Sequence, residues 1–214
     1  MRAPRVDDCQ ALAVDDQTLR TEIAACRAAH LRLHERVADV DDAALGRPSR
    51  LPGWTVGHVL THLARNADSV VRRLEASAAG MLVEQYAGGA EARAAGIEAG
   101  ARRPAVEVVA DLVRADDAVD RAFATANADS WAGTVRLGGA ATGPARDLVV
   151  RRWREVEAHH VDLGLGYEWV DWPEELVQRW LPSLLAALPE RAGGHALVAW
   201  ATGRGPAPTL PPWG

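Results

Sequence analysis

Histidines and a glutamate at helical spacing are the residues of this sequence best suited to carry chemistry. Glu155 and His159 lie four positions apart, so on a helix they share one face and can reach a single ion together. His58 and His62 have the same spacing earlier in the chain. Two imidazoles and one carboxylate leave open positions on a divalent ion, which is typical of catalytic zinc and also suits non-haem iron. The residue types therefore indicate a catalytic metal centre without fixing the metal.

The helical wheel of the later segment separates two neighbouring histidines. The inner face of this helix centres on three apolar residues, Val149, Val156 and Leu163. Glu155 and His159 both lie toward one edge of that face, which argues against an exposed surface pair. His160 lies toward the opposite edge, and the pattern predicts a packed, hydrogen-bonded histidine there.

The wheel of the earlier segment favours His62 over His58 as a ligand. His62 lies nearer the apolar stripe, whereas His58 is almost opposite to it and is expected to be solvated. The candidate metal ligands are therefore His62, Glu155 and His159.

Four amphipathic segments must position these ligands. The first helix is predicted over residues 16–39, and the second runs from an N-cap at Thr55 to about Ala79. The second helix carries an apolar stripe formed by Leu60, Leu63, Ala67, Val70 and Leu74. A long crossover follows from Ala87 to Arg103 and is expected to contain a short helix.

Prolines are taken as the first residues of the next two helices. Pro104 opens the third helix, and Pro144 opens the fourth, which ends near Gly164 or Gly166. The third helix is predicted to bury Val106, Val109, Val113, Val119 and Phe123. Four such helices with a long second connection predict a mainly α four-helix bundle, a fold whose interior commonly hosts metal sites.

Composition narrows the class of partner. The 214 residues carry a net charge of -5 with a pI near 5.8, which gives no field that attracts a phosphate backbone, so nucleic acid is not an expected partner. The sequence contains neither a signal-peptide core nor an apolar run of membrane-spanning length, so a cytoplasmic location is expected. Cys9 and Cys26 have no CxxC spacing and are interpreted as ordinary thiols.

Longer strings carry a resemblance to a known family. The mycothiol-dependent maleylpyruvate isomerase family, whose metal-binding N-terminal domain is DinB-like, has signatures that closely resemble LPGWTVGHVLTHLARNADSVVRRLEA (Leu51–Ala76) and REVEAHHVDLGLGY (Arg154–Tyr167). The resemblance extends to YAGGAEARAAGIEAGARRP in the crossover and to WATGRGPAPTLPPWG at the end. It implies a DinB-like metal-binding bundle in residues 1–166 and, in residues 167–214, a short α/β annex similar to a reduced family C-terminal domain.

The resemblance also assigns roles to residues. The family's first histidine ligand lies in the HLARN motif, here His62, and its other ligands are the glutamate and first histidine of REVEAHH, here Glu155 and His159. The family uses an arginine of its C-terminal domain in catalysis, and the matching position in WATGRG is Arg204. His62 and Arg204 are thus the implied catalytic residues, with zinc as the expected ion and mycothiol as the cofactor.

The implied reaction converts maleylpyruvate to fumarylpyruvate. A divalent ion favours thiolate over thiol, so the sulfur of mycothiol is expected to add to the conjugated double bond, allow rotation and leave again. Arg204 would stabilise the negative charge that develops on the substrate. The expected partners are a small-molecule substrate and a low-molecular-weight thiol, with the chain a monomer or homodimer.

Three other functions fit the same residues. A mycothiol S-transferase would join the thiol to another electrophile without the elimination step. An iron enzyme would activate oxygen at the same ligands. A non-catalytic helical module would use the metal only to tie two helices together, with a closed coordination shell.

Overall fold

The computed structural model describes residues 6–210, with side chains described from residue 16 onward. The elements in chain order are α1 (Val6–Val37), α2 (Asp42–Leu45), α3 (Val56–Ala78), α4 (Gly89–Gly100), α5 (Ala105–Thr125), α6 (Ala128–Ala132), β1 (Thr134–Gly138), β2 (Ala141–Pro144), α7 (Asp147–Asp162), a 3₁₀ turn (Trp169–Asp171), α8 (Glu174–Ala192) and α9 (Gly194–Ala201).

Helices α1, α3, α5 and α7 form a four-helix bundle. Helix α3 packs against α5 and α7, and α1 packs against the same two helices from the other side. The long connection between α3 and α5 contains α4, which packs on α3. The mainly α, DinB-like bundle with its long second connection is therefore confirmed, as is the short helix inside that connection.

The core contains the stripes that the sequence predicts for α3 and α7. The five predicted residues of α3, from Leu60 to Leu74, are at most 3% exposed. Val149, Val156 and Leu163 are at most 1% exposed in or just after α7. Burying side chains of this size stabilises the fold by about 1.5–3 kcal/mol each. These two faces fix the rotation of α3 and α7 about their axes.

The predicted stripe of α5 was wrong over its first two turns. Val106 is 74% exposed, and Val109 and Val113 are only partly buried, whereas Val108 and Leu112 are fully buried. The first half of α5 has apolar residues on adjacent positions, so this half alone fits two rotations of the helix, but only Val108 and Leu112 continue at helical spacing to the buried Val119 and Phe123. Packing on α3 selects the rotation one residue away from the predicted one.

The prediction that Pro144 opens a helix was also wrong. Pro144 ends β2, which pairs antiparallel with β1, and α7 begins only at Asp147. Proline fixes φ but suits an edge strand as well as a first helical turn. The turn of this hairpin needs glycine, because Gly139 has a φ of 52°. Helix α1 also begins earlier than predicted, at Val6.

The chain divides into two compact units, one ending at Trp169 and one beginning at Val170. In the second unit α8 and α9 pack on each other, and α8 continues through Pro182. Its described residues, up to residue 210, form no strand, so the predicted α/β character is not found there. The apolar stretch HALVAWA lies in α9, where three of the eight residues are alanine, the residue with the highest helix propensity. None of the helices in the described residues has the length and apolar run that a membrane crossing requires.

Candidate metal centre

Three side chains from two helices of the bundle converge on one point. His62 of α3 places its Nε2 atom 3.3 Å from Glu155 Oε2 and 3.1 Å from His159 Nε2, both on α7. His159 Nε2 lies 3.5 Å from Glu155 Oε2. Within the described part of the chain, these are the only histidine, cysteine or carboxylate side chains grouped in a way that could hold a metal ion.

The size of this triangle fits a small tetrahedral ion. Donor atoms bound to zinc at about 2.0–2.1 Å lie about 3.3–3.4 Å from one another in a tetrahedron. The three edges of 3.1, 3.3 and 3.5 Å bracket that value. A site with three protein ligands leaves a fourth position open, which is the arrangement of catalytic zinc. The donor set and spacing therefore fit a catalytic divalent ion.

His58, whose side chain was expected to be solvated, forms hydrogen bonds at the start of α3. His58 Nδ1 accepts a hydrogen bond from the backbone N–H of Thr55 at 3.2 Å, and His58 Nε2 lies 3.0 Å from a carboxylate oxygen of Glu98. The expectation that His58 is solvated was therefore wrong, because it caps the helix N-terminus and pairs with α4. This contact fixes the beginning of the helix one turn before His62.

The two ligand histidines have opposite pKa shifts. Burial lowers the pKa of His62 to about 4, and its hydrogen bond with Glu155 offsets this only in part. Burial acts in the same direction on His159, but hydrogen bonds to Asp162 and Glu155 outweigh it and raise its pKa to about 9. Burial opposes the charge of Glu155, yet hydrogen bonds with His159 and His62 hold its pKa well below the usual range. The metal-free site thus contains one imidazolium beside one carboxylate.

A second carboxylate orients His159. Asp162 Oδ2 lies 2.9 Å from His159 Nδ1, on the side of the ring opposite the triangle. A carboxylate on the far nitrogen fixes the ring orientation and makes the metal-facing nitrogen more basic. Asp162 is the last residue of α7, so the end of the helix supplies this contact. Asp162 was not among the residues predicted for the site, although its spacing of three residues from His159 is a signal for such a contact.

Metal binding at pH 7 should release one proton from the protein and tighten as the pH rises. His159 keeps its proton below its pKa of about 9, and a ligand nitrogen must give that proton up. Apparent affinity should therefore rise about tenfold per pH unit between pH 7 and 9 and then level off. Zinc titration calorimetry in two buffers of different ionisation enthalpy measures the proton. Binding with no proton release at pH 7 would contradict this charge assignment.

Aromatic and basic groups border the triangle. Trp54 meets His62 edge-on, with ring centroids 5.6 Å apart. Arg93 of α4 approaches from the other side of the His62 ring, with a guanidinium nitrogen 3.1 Å from His62 Nδ1. Arg93 was not among the residues predicted for the site, because its position depends on how α4 packs on α3.

The remaining candidates lie elsewhere. His160 is buried and stacks on Tyr167, with ring centroids 3.9 Å apart, which supports the predicted packed histidine. Cys26 is fully buried, and burial raises the pKa of its thiol, so it is no nucleophile at neutral pH. The side chain of Cys9 lies outside the described residues. Arg204 is exposed in the second unit, where it donates a hydrogen bond to the carbonyl oxygen of Thr202.

A buried polar network holds α7 in the bundle. Arg152 of α7 is fully buried and donates to Asp116 of α5 and to Asn66 of α3, the latter at 2.9 Å. Arg152 Nε also lies 3.2 Å from Nε2 of the buried His30 in α1. All four bundle helices therefore meet at one guanidinium, one turn before Glu155. This network could not be predicted from the sequence, because its members come from four distant segments.

A bundle that places two imidazoles and a carboxylate of facing helices around one point defines a DinB-like helical domain with a candidate metal centre. A family model described as the mycothiol maleylpyruvate isomerase N-terminal domain matches residues 26–164. The chain therefore belongs to this family, as the two sequence signatures predicted.

Solved structures agree with that assignment. The crystal structure of the mycothiol-dependent maleylpyruvate isomerase is similar with a TM-score of 0.71 and 27% identity, over 75% of this chain and 66% of that one. The crystal structure of a histidine-to-alanine mutant of that isomerase gives a TM-score of 0.71 and 26% identity over the same shares. This chain thus spans just under two thirds of the length of those relatives. Comparison with curated proteins gives no match.

Proposed function

We propose that this protein is a metal- and thiol-dependent cis-trans isomerase that converts maleylpyruvate to fumarylpyruvate. The observation that carries the proposal is the metal-sized triangle of His62, Glu155 and His159 inside a bundle of this family. The similarity to the crystal structure of a mycothiol-dependent maleylpyruvate isomerase supports the substrate and the thiol.

His62, Glu155 and His159 would hold the ion, for which we propose zinc. When bound, a divalent ion favours thiolate over thiol and so makes a sulfur nucleophile available at neutral pH. One carboxylate among the three ligands leaves a zinc centre with a net charge of about +1. That residual charge favours an anionic sulfur and an anionic substrate over neutral competitors.

The protein side chains around the triangle have separate tasks. Asp162 keeps His159 in the orientation in which Nε2 faces the centre. Trp54 covers an edge of His62 and reduces the access of water to that side. Low local solvation strengthens the electrostatic interactions of the ligands with anything bound between them. These contacts preorganise the centre before substrate arrives.

Mycothiol would supply a sulfur whose reversible addition makes the substrate double bond single for long enough to rotate. We assign to Arg204 the stabilisation of negative charge on the substrate, because its planar fork of donors matches a carboxylate or enolate. The assignment rests on the match of residues 200–205 to the family motif that contains the catalytic arginine.

A thiol-balance assay tests the proposal against transfer of the thiol to an electrophile. Zinc-loaded protein with maleylpyruvate and a substoichiometric amount of mycothiol should give many turnovers of fumarylpyruvate while the free thiol concentration stays constant. An S-transferase would consume one thiol per substrate and stop when the thiol is spent. Metal-stripped protein is the control and should be inactive. Loss of thiol in step with substrate, or no product at all, would refute the isomerase.

A further inference from the structure

Arg93 is a half-buried cation beside the candidate metal centre, and it has no acidic partner in the part of the chain that the structure describes. Its guanidinium lies over the rings of Tyr86 and Trp54, at 5.2 and 6.0 Å from their centroids, and contacts His62 Nδ1. Among the described residues, no carboxylate lies within ion-pairing distance of it. A cation held between aromatic faces in this way is positioned but not neutralised.

Arg93 lines a cavity together with two other arginines, Arg65 and Arg72, which already have hydrogen-bond partners within the protein. The cavity has a volume of about 260 Å³ and is lined by α3, α4 and the loop before α4. Arg65 pairs with Asp111 at 2.7 Å, and Arg72 donates to two backbone carbonyl groups of that loop at 2.7 Å each. Among the described residues, Arg93 is thus the arginine of this cavity whose guanidinium neither pairs with a carboxylate nor donates to a backbone carbonyl.

If His62 binds a metal ion, its contact with Arg93 brings two hydrogen-bond donors face to face. His62 Nε2 faces the triangle, so a neutral His62 that binds an ion through Nε2 carries its one proton on Nδ1. Nδ1–H would then face a guanidinium N–H at the present 3.1 Å, and neither group can accept. An anion that enters between them would accept a hydrogen bond from both.

We propose that Arg93 is a substrate-binding residue that holds a carboxylate of the substrate beside the metal centre, with the same carboxylate accepting from His62 Nδ1. This inference rests on the proposed function for the identity of the substrate as a small dicarboxylate. Guanidinium groups bind carboxylates through two parallel hydrogen bonds, so the residue would set orientation as well as affinity. The ligand class is a small organic anion with a carboxylate close to its reacting double bond.

Binding of maleate to zinc-loaded protein without thiol tests this role. Maleate is an unreactive cis-dicarboxylate under these conditions, and calorimetry or tryptophan fluorescence reports its affinity. Arg93→Met should weaken maleate binding about 30-fold, the loss expected for a charge-assisted hydrogen-bonded pair. Arg93→Lys, which keeps the charge but not the fork, should recover part of that affinity. In turnover with mycothiol, Arg93→Met should raise KM to a similar extent and change kcat by less than about threefold.

Arg102→Met is the matched control, because this arginine follows α4, is 74% exposed and pairs only with Glu98 among the described residues. It should bind maleate as the wild-type protein does. Zinc content should be full in every variant, because Arg93 is not a ligand. Equal maleate affinity in wild type and Arg93→Met, with zinc bound, would overturn the role of Arg93. Failure of the wild-type protein to bind zinc or to turn over with thiol would instead count against the proposed function.

Discussion

Replacing His62 with alanine should leave the protein without a bound metal ion and reduce thiol-dependent isomerisation at least about 1000-fold. His62 is the only ligand of the triangle that comes from α3, so its loss leaves Glu155 and His159 of α7 alone. Changing a residue that merely orients a ligand costs about 10–100-fold in metal affinity, and losing the ligand itself costs more. A centre that retains no ion cannot favour thiolate over thiol, and a loss of about 4 kcal/mol of transition-state stabilisation corresponds to the expected rate.

Metal content by elemental analysis and turnover with mycothiol are the two measurements. His58→Ala is the matched control, since it changes the same residue type one turn earlier on the same helix. It should keep a full equivalent of metal and lose only about 1 kcal/mol of stability, because His58 caps the helix and pairs with Glu98. The His62→Ala protein should still unfold cooperatively. Full metal content or wild-type turnover in it would exclude the triangle as the catalytic centre.

The periodicity of apolar residues explains why the buried faces of two bundle helices could be predicted from the sequence. Apolar residues repeat at helical spacing from Leu60 to Leu74 in α3, and Val149 and Val156 do so in α7 although the neighbours of Val149 are apolar as well, so the centre of each buried face can be predicted before any partner is known. His62, Glu155 and His159 lie beside those stripes, which is why the wheel and the family motifs select the same three residues. The structure brings these three side chains together as expected. Their binding of a metal remains a prediction.

Three expectations failed because a short stretch of sequence is compatible with more than one local structure. In the first half of α5 the expected stripe took Val109 and Val113 from two pairs of adjacent apolar residues, whereas the other members, Val108 and Leu112, are buried and continue at helical spacing to Val119. Pro144 fits a helix start and a strand end equally well until β1 pairs with β2. His58 was placed in solvent because the wheel contains only its own helix, whereas its partner Glu98 belongs to α4.

Contacts between residues of different elements could not be predicted from the sequence for a related reason. Arg93 reaches His62 only because α4 packs on α3, and no spacing rule connects residues of a crossover with those of a bundle helix. Arginines are frequent on the surface of this protein, so residue type alone did not distinguish Arg93 from an exposed charge. Placing it needs the three-dimensional contact between the two elements.

The largest effect on stability is expected at Arg152, and replacing it with alanine should lower the free energy of unfolding by about 3–5 kcal/mol. Arg152 and Asp116 are both fully buried. Burial opposes the charge of Asp116, but Arg152 and the hydrogen bond from His34 outweigh it and lower its pKa, so the carboxylate is ionised at neutral pH. Without the guanidinium, that charge remains in the core without its main counter-ion. The carbonyl of Leu63 and the side chain of Asn66 lose a donor as well.

Urea unfolding of a set of variants separates charge from packing at this position. Arg152→Met fills most of the volume and should still cost about 3 kcal/mol, since Asp116 stays charged without its main counter-ion. Adding Asp116→Leu to Arg152→Met removes that charge and should recover at least about 2 kcal/mol. Arg151→Ala, at the exposed neighbouring position, should change stability by less than about 0.5 kcal/mol.

Replacing Arg152 should also weaken metal binding at the candidate centre, because Arg152 and two of the ligands belong to α7. Arg152 ties α7 to α1, α3 and α5 one turn before Glu155, so loosening it allows the ligands of α7 to move relative to His62. Arg152→Met protein, kept folded at low temperature, should therefore bind zinc about 10–100-fold more weakly although no ligand has changed. Wild-type zinc affinity together with the full loss of stability would show that the network supports the core alone. Wild-type stability would mean that Asp116 is not charged in the folded protein.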